Sequence, residues 1–170
     1  MKQKFFIAAI VICSAITIIA CEKTNFETVT NFKVRLAAST AFDADQVNID
    51  IEQVKVNYND TTWVILNTPN QVYNLLDFRN GMDTLIANGT IPATSVVKQL
   101  KLVLGSNNSI KVSGKILPLA LADKQTELTL NVDKKLNRNV ETVTLSFDPS
   151  LSVSLSADGG YQFRPVAVLK

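Results

Sequence analysis

The chain has 170 residues, with 17 basic and 15 acidic side chains for a formal net charge of +2, and 46% of its residues are hydrophobic. It has no histidine and only two cysteines, Cys13 and Cys21, which excludes Ser-His-Asp and Cys-His triads and the common zinc and copper sites. Carboxylate, lysine, tyrosine or serine-lysine chemistry is all that is left to an enzyme, and near-balanced charge gives no electrostatic footprint for nucleic acid.

Lys2 and Lys4 precede an apolar run from Phe5 to Ala20, and Ile18-Ile19-Ala20 leads into Cys21. The run is shorter than the roughly 20 residues that cross a bilayer as a helix. A basic start, a short apolar stretch and small residues before the cleavage point form a secretory signal. The segment resembles the lipobox of bacterial lipoproteins, with Ile18 where leucine is commonest. That resemblance implies that residues 1–20 are removed and that Cys21 becomes a lipidated N-terminus, carrying a diacylglyceryl thioether and an amide-linked chain such as palmitate. At about 0.8 kcal/mol per buried methylene, several chains together make an effectively permanent anchor. Loss of Lys2 and Lys4 leaves 15 basic and 15 acidic residues. With Cys13 in the signal and Cys21 acylated, no disulfide can form, so an apolar core must hold the fold.

Residues 21–30 hold the lipidated cysteine and a polar tether, and nine residues of it reach about 30 Å when extended. Residues 31–170 read as a single domain in which period-2 alternation dominates. Phe32, Val34 and Leu36 alternate with Lys33 and Arg35 as a half-buried first strand. Val47, Ile49 and Ile51 set one phase and Val54, Val56 and Tyr58 the other, so a β-bulge or strand break is expected near Glu52-Gln53. Trp63 to Leu66 forms a short strand after the Asn59-Asp60 turn; Leu75-Leu76 and Met82 to Ala87 form an irregular stretch with one helical turn, closed by Asn88-Gly89 and Pro92. Leu100, Leu102 and Leu104 mark a central strand ended by Gly105-Ser106-Asn107-Asn108, with Ile110 and Val112 as its hairpin partner. Further strands are expected at Lys115 to Leu119, Glu127 to Val132, Thr142 to Phe147 and Leu151 to Leu155. A last hairpin turns at Ala157-Asp158-Gly159-Gly160 and returns through Tyr161, Phe163, Val166 and Val168. Eight to ten short strands with turn signals between them predict an all-β, antiparallel sandwich.

Several segments taken in order, Val47 to Ile51 with Val54 and Val56, Trp63, Tyr73-Asn74-Leu75-Leu76, Ile91-Pro92-Ala93, Leu100 to Asn108 and Phe163-Arg164-Pro165-Val166, resemble an uncharacterised family, the domain of unknown function numbered 4382, typical of lipoproteins from Bacteroidota. The resemblance spans about Thr30 to Leu169. It implies a sandwich of immunoglobulin-like or prealbumin-like type, and brings no activity and no catalytic residues. Ala38-Ser39-Thr40 and Thr94 depart from the family's usual turns.

Local features suggest sites. Trp63, Tyr58 and Tyr73 are candidates for stacking on a sugar or peptide, since an aromatic ring joins a large apolar face to a polar edge. Asp43, Asp45 and Asp50 lie close enough in sequence to contribute to a calcium site, although the usual loop glycine and distal glutamate are missing. Asp50 and Glu52 share a face on a regular strand, as a carboxylate pair would. Asp83-Thr84-Leu85 and Asp60-Thr61-Thr62 resemble the short O-glycosylation acceptor pattern of these bacteria, on Thr84 and Thr61. Lys134, Lys135 and Arg138 form the densest basic cluster, in a solvated loop. The expected function is a non-catalytic cell-envelope module, an outer-membrane lipoprotein anchored by its lipid, without cofactor, that binds a protein or glycan partner. The alternatives are a structural or adhesin subunit joined through sheet edges and a carboxylate-dependent enzyme.

Overall fold

The computed structural model describes residues 28–39, 42–60, 62–137 and 139–170. Two sheets enclose one core, and the chain is an all-β sandwich.

The first sheet has four strands. The alternation of β1 (Val29–Ala38) buries Phe32, Val34 and Leu36 completely, so this strand occupies an interior position. It pairs antiparallel with β5 (Thr84–Pro92) on one side and parallel with β10 (Val140–Phe147) on the other, and β13 (Ala167–Leu169) closes the far edge of β10.

The second sheet is built on β2 (Gln46–Tyr58), the longest strand. Along one side of it lie β3 (Thr62–Ile65) and β4 (Gln71–Asn74), end to end. Along the other side β6 (Val96–Leu104) and β7 (Ser109–Val112) also run end to end, both antiparallel to β2. Outside these, β8 (Lys115–Leu121) pairs with β7 and β9 (Glu127–Lys135) pairs with β6. Finally β12 (Tyr161–Phe163) adds in parallel to β8, with β11 (Val153–Leu155) antiparallel beside it.

Three expectations are corrected here. Among the described residues the strands number 13 rather than eight to ten, because long lines of pairing are interrupted and counted in pieces. The sandwich is not wholly antiparallel, since β1–β10 and β8–β12 are parallel. Gly105 to Asn108 is not a hairpin turn: Leu104 faces Ile51 and Ser109 faces Asn48, so the chain loops out and resumes the same line along β2. The helical turn expected in the irregular stretch is Leu75–Phe78, a 3₁₀ turn capped by Asn74. The stretch after Met82 is a regular strand that carries Asn88-Gly89 inside it. Pro149–Ser152 is a single helical turn capped by Asp148, ahead of β11.

The bulge expected near Glu52-Gln53 is present. The register of β2 against β6 shifts between Ile51 and Gln53, and Val47, Ile49, Ile51, Val54 and Val56 are all fully buried. An extra residue is what lets two opposite alternation phases feed one core. The sheets are also tied at one margin, where Asn67 and Asn88 exchange backbone hydrogen bonds of 2.8 and 3.1 Å. Gly89 follows there, and a Cβ on it would meet Leu66 Cδ2 at 2.8 Å.

Candidate functional site on the outer face of the second sheet

Pairing brings together side chains that are far apart in sequence. Trp63 on β3 faces Asn57 on β2, Asn57 faces Gln99 on β6, and Gln99 faces Asn131 on β9. Because Val54 and Val56 point to the core, Asn57 and the residues level with it lie on the outer face. The result is one row across four strands, an indole followed by three amides, with Asn57 buried at 5% exposure on the floor of the depression, Gln99 half-buried and Asn131 exposed. Gln99 donates to Asn131 Oδ1 at 3.2 Å, which holds two of the amides in a defined orientation.

A second row lies two residues further along the same strands: Ile65, Lys55, Lys101 and Thr129. Lys101 spans both rows. Its ammonium lies 5.2 Å from the centroid of the Trp63 ring and donates to Glu127 Oε2 at 2.7 Å. That bond holds the Glu127 carboxyl below the usual carboxylate range, with the field of Lys55 acting in the same direction. Trp63 keeps 40% of its surface exposed, so this cation–π contact positions the ring without hiding it.

The face is shaped by irregular pairing at its lower end. The ladder passes from Val97 to Gln99 on both sides of β6 and skips Lys98, and Asp133 on β9 has a positive φ of 47°. Asn59 and Asp60, which turn the chain from β2 towards β3, also have positive φ, at 53° and 63°. These bends open a solvent-facing depression of about 360 Å³, lined by Asn57, Asp60, Trp63, Lys98, Gln99, Asn131 and Asp133. Lys98 and Asp133 face one another across it at 3.5 Å. Bulges commonly re-aim side chains beside binding sites.

Of the aromatic candidates, Trp63 alone lines this depression. Tyr73 is corrected: it is 3% exposed, packs in the core beside Phe78 at 6.4 Å, and burial pushes its phenol above the ordinary value. Tyr58 is corrected too, since it is half-buried and packs against the core. The three aspartates do not gather. Asp45 accepts from the Gly114 N–H at 2.8 Å, Asp43 is exposed in the loop before β2, and Asp50 is buried and accepts from the Asn107 N–H at 3.1 Å. Among the described residues no group of three or more acidic, cysteine or histidine side chains is placed to hold a metal ion.

Asp50 instead stitches the Gly105 to Asn108 loop onto β2. Its own N–H donates to Asn108 Oδ1 at 2.8 Å and its carbonyl accepts from the Gly105 N–H at 3.0 Å. Asp50 and Glu52 do come near each other, at Gly105, where a Cβ would lie 2.6 Å from Asp50 Cγ and 2.8 Å from Glu52 Oε1. Thr84 begins β5 and is half-buried, next to Asp83, which pairs with Arg35 at 2.5 Å. Cys21, Thr61 and Arg138 lie outside the described residues. The amides and lysines of the two rows carried no signal of their own in the sequence. Each is an ordinary polar position of an alternating strand, and pairing register is what assembles them.

Fold and face together define a β-sandwich domain with a mixed aromatic and polar platform on one sheet. The family model described as Domain of unknown function (DUF4382) matches residues 29–165, and the chain belongs to that family. No curated protein and no solved structure matches the chain.

Proposed function

We propose that this chain is a lipid-anchored, non-catalytic module of the cell envelope that binds a glycan through the outer face of its second sheet. The observation that carries the reading is the in-register row Trp63–Asn57–Gln99–Asn131. A pyranose has an apolar C–H face and a rim of hydroxyls. An exposed indole takes the former, and amides, which both donate and accept, take the latter. The depression is open, which suits a chain or a terminal residue of a polymer better than a small molecule that needs enclosure on most sides.

The anchoring part of the reading rests on Lys2, Lys4, the apolar run and Cys21. Such an anchor holds the platform at a membrane of the envelope, the outer membrane being the expected one, and leaves binding as its task.

Trp63 is the sole tryptophan of the chain, so its fluorescence reports on the site directly. The test is to screen the full chain and its Trp63→Ala variant on an array of bacterial and animal glycans. Binding that weakens by about tenfold or more in the variant, equivalent to 1.4 kcal/mol, supports the reading. An array with no hit, or hits indifferent to Trp63, refutes it. Membrane anchoring is tested separately by Cys21→Ser, which is expected to leave the membrane fraction.

A further inference from the structure

We infer that the saccharide taken by this platform is acidic, with a carboxylate or sulfate seated against Lys55 and Lys101. This deepens the glycan reading and rests on it. Lys55 and Lys101 are directly opposite one another on two interior strands, an arrangement that costs stability because like charges face each other across the ladder. One carboxylate serves both. Glu127 binds Lys101 at 2.7 Å and lies within the field of Lys55, while Lys55 makes no salt bridge among the described residues. Two ammonium groups and one carboxylate leave one positive charge uncompensated at the centre of the face.

The position of that charge is what makes it a recognition element. It stands two residues along β2 and β6 from Asn57 and Gln99, a spacing of about 7 Å on a strand. That is the reach from the ring of a sugar on the first row to a substituent projecting over the second. Lys101 also lies against the Trp63 ring, so the cation and the stacking surface are contiguous. The charges at the other end of the platform are Lys98 and Asp133, which offset one another, and Asp60 on the turn. The face is therefore polarised, with its basic end over the second row. An anionic substituent is favoured there and disfavoured near Asp60.

The test titrates the full chain with matched oligosaccharides and follows Trp63 fluorescence, with calorimetry in parallel. The acidic probes are oligogalacturonides, oligomannuronates and heparin-type sulfated oligosaccharides; the neutral ones are galacto-, manno- and gluco-oligosaccharides of equal length. At least one acidic probe is expected to bind about fivefold or more tightly than its neutral counterpart. That preference should fall away in 0.5 M salt, as screening requires, disappear in Lys55→Gln and persist in Lys55→Arg. Which acidic probe wins separates carboxylate from sulfate. If neutral probes bind equally or better and the response depends on Trp63, the acidic assignment is overturned and the glycan reading stands. Binding that is absent from every probe, or unaffected by Trp63→Ala, overturns both.

Discussion

Single residues in this fold hold structure by satisfying backbone groups that the sheet leaves open. Asp50 is the clearest case, a buried carboxylate that accepts from the Asn107 N–H while its own backbone bonds Gly105 and Asn108. Asp50→Ala leaves that N–H without its acceptor, and a loss of about 1–3 kcal/mol in urea unfolding is expected. Gly105→Ala drives a methyl group into Asp50 and Glu52 and should cost a similar 1–3 kcal/mol through overpacking. On the surface the effects are smaller. The hydrogen bond from Arg35 is the largest cause holding the Asp83 carboxyl below its ordinary value. A carboxyl lowered in the folded state stabilises above its unfolded value of about 3.9, and that contribution fades as pH falls through its lower folded value. Comparing the parent with Asp83→Asn should show a difference of at most about 1 kcal/mol at pH 7, shrinking below pH 3.9 and vanishing in stronger acid.

At the scale of the element, interruptions decide the outcome. The phase switch between Ile51 and Val54 was legible in the sequence, because a strand that buries Val47, Ile49 and Ile51 cannot also bury Val54 and Val56 without an added residue. Deleting Glu52 removes that residue. Val54 and Val56 then fall into the phase of Ile51, and Gln53 and Val54 keep their partners Val103 and Leu102, so the expected result is retained native NMR dispersion with only a modest shift in the urea midpoint. The collinearity of β6 and β7 was not legible. A Gly-Ser-Asn-Asn segment between apolar runs has the chemistry of a hairpin turn, and it fails to reverse the chain because Asp50 and Asn108 return it to the same neighbour. The platform divides in the same way. Trp63 stood out as the sole tryptophan, whereas Asn57, Gln99 and Asn131 became partners only through register. Tyr73 misled because alternation marks which residues share a face without saying which face is covered.

Across the whole molecule, the strand that begins the domain lies parallel to one from its far end, with Asn31 opposite Val140 and Ala38 opposite Phe147. Such non-local pairing predicts folding on the millisecond-to-second scale of all-β domains. It also makes the last strand structurally important out of proportion to its three residues. β13 covers the edge of β10 at Leu145 to Phe147, and Lys170 exchanges backbone hydrogen bonds with Thr144 at 2.9 and 3.1 Å. Leu145 and Phe147 are fully buried, and Ala167 and Leu169 pack against the same core. Removing residues 167–170 therefore uncovers both apolar surface and a row of unpaired backbone groups. The expected loss is about 2–4 kcal/mol in urea unfolding, consistent with deleting the burial of one leucine-sized side chain plus several ladder bonds. An opened edge is a template for another strand, so the shortened chain should also self-associate in sedimentation velocity at concentrations where the parent sediments as a single species. If the shortened chain kept parental stability and the same sedimentation coefficient, β13 would be an ornament on the sheet, and the edge of β10 would have to be protected by its own residues.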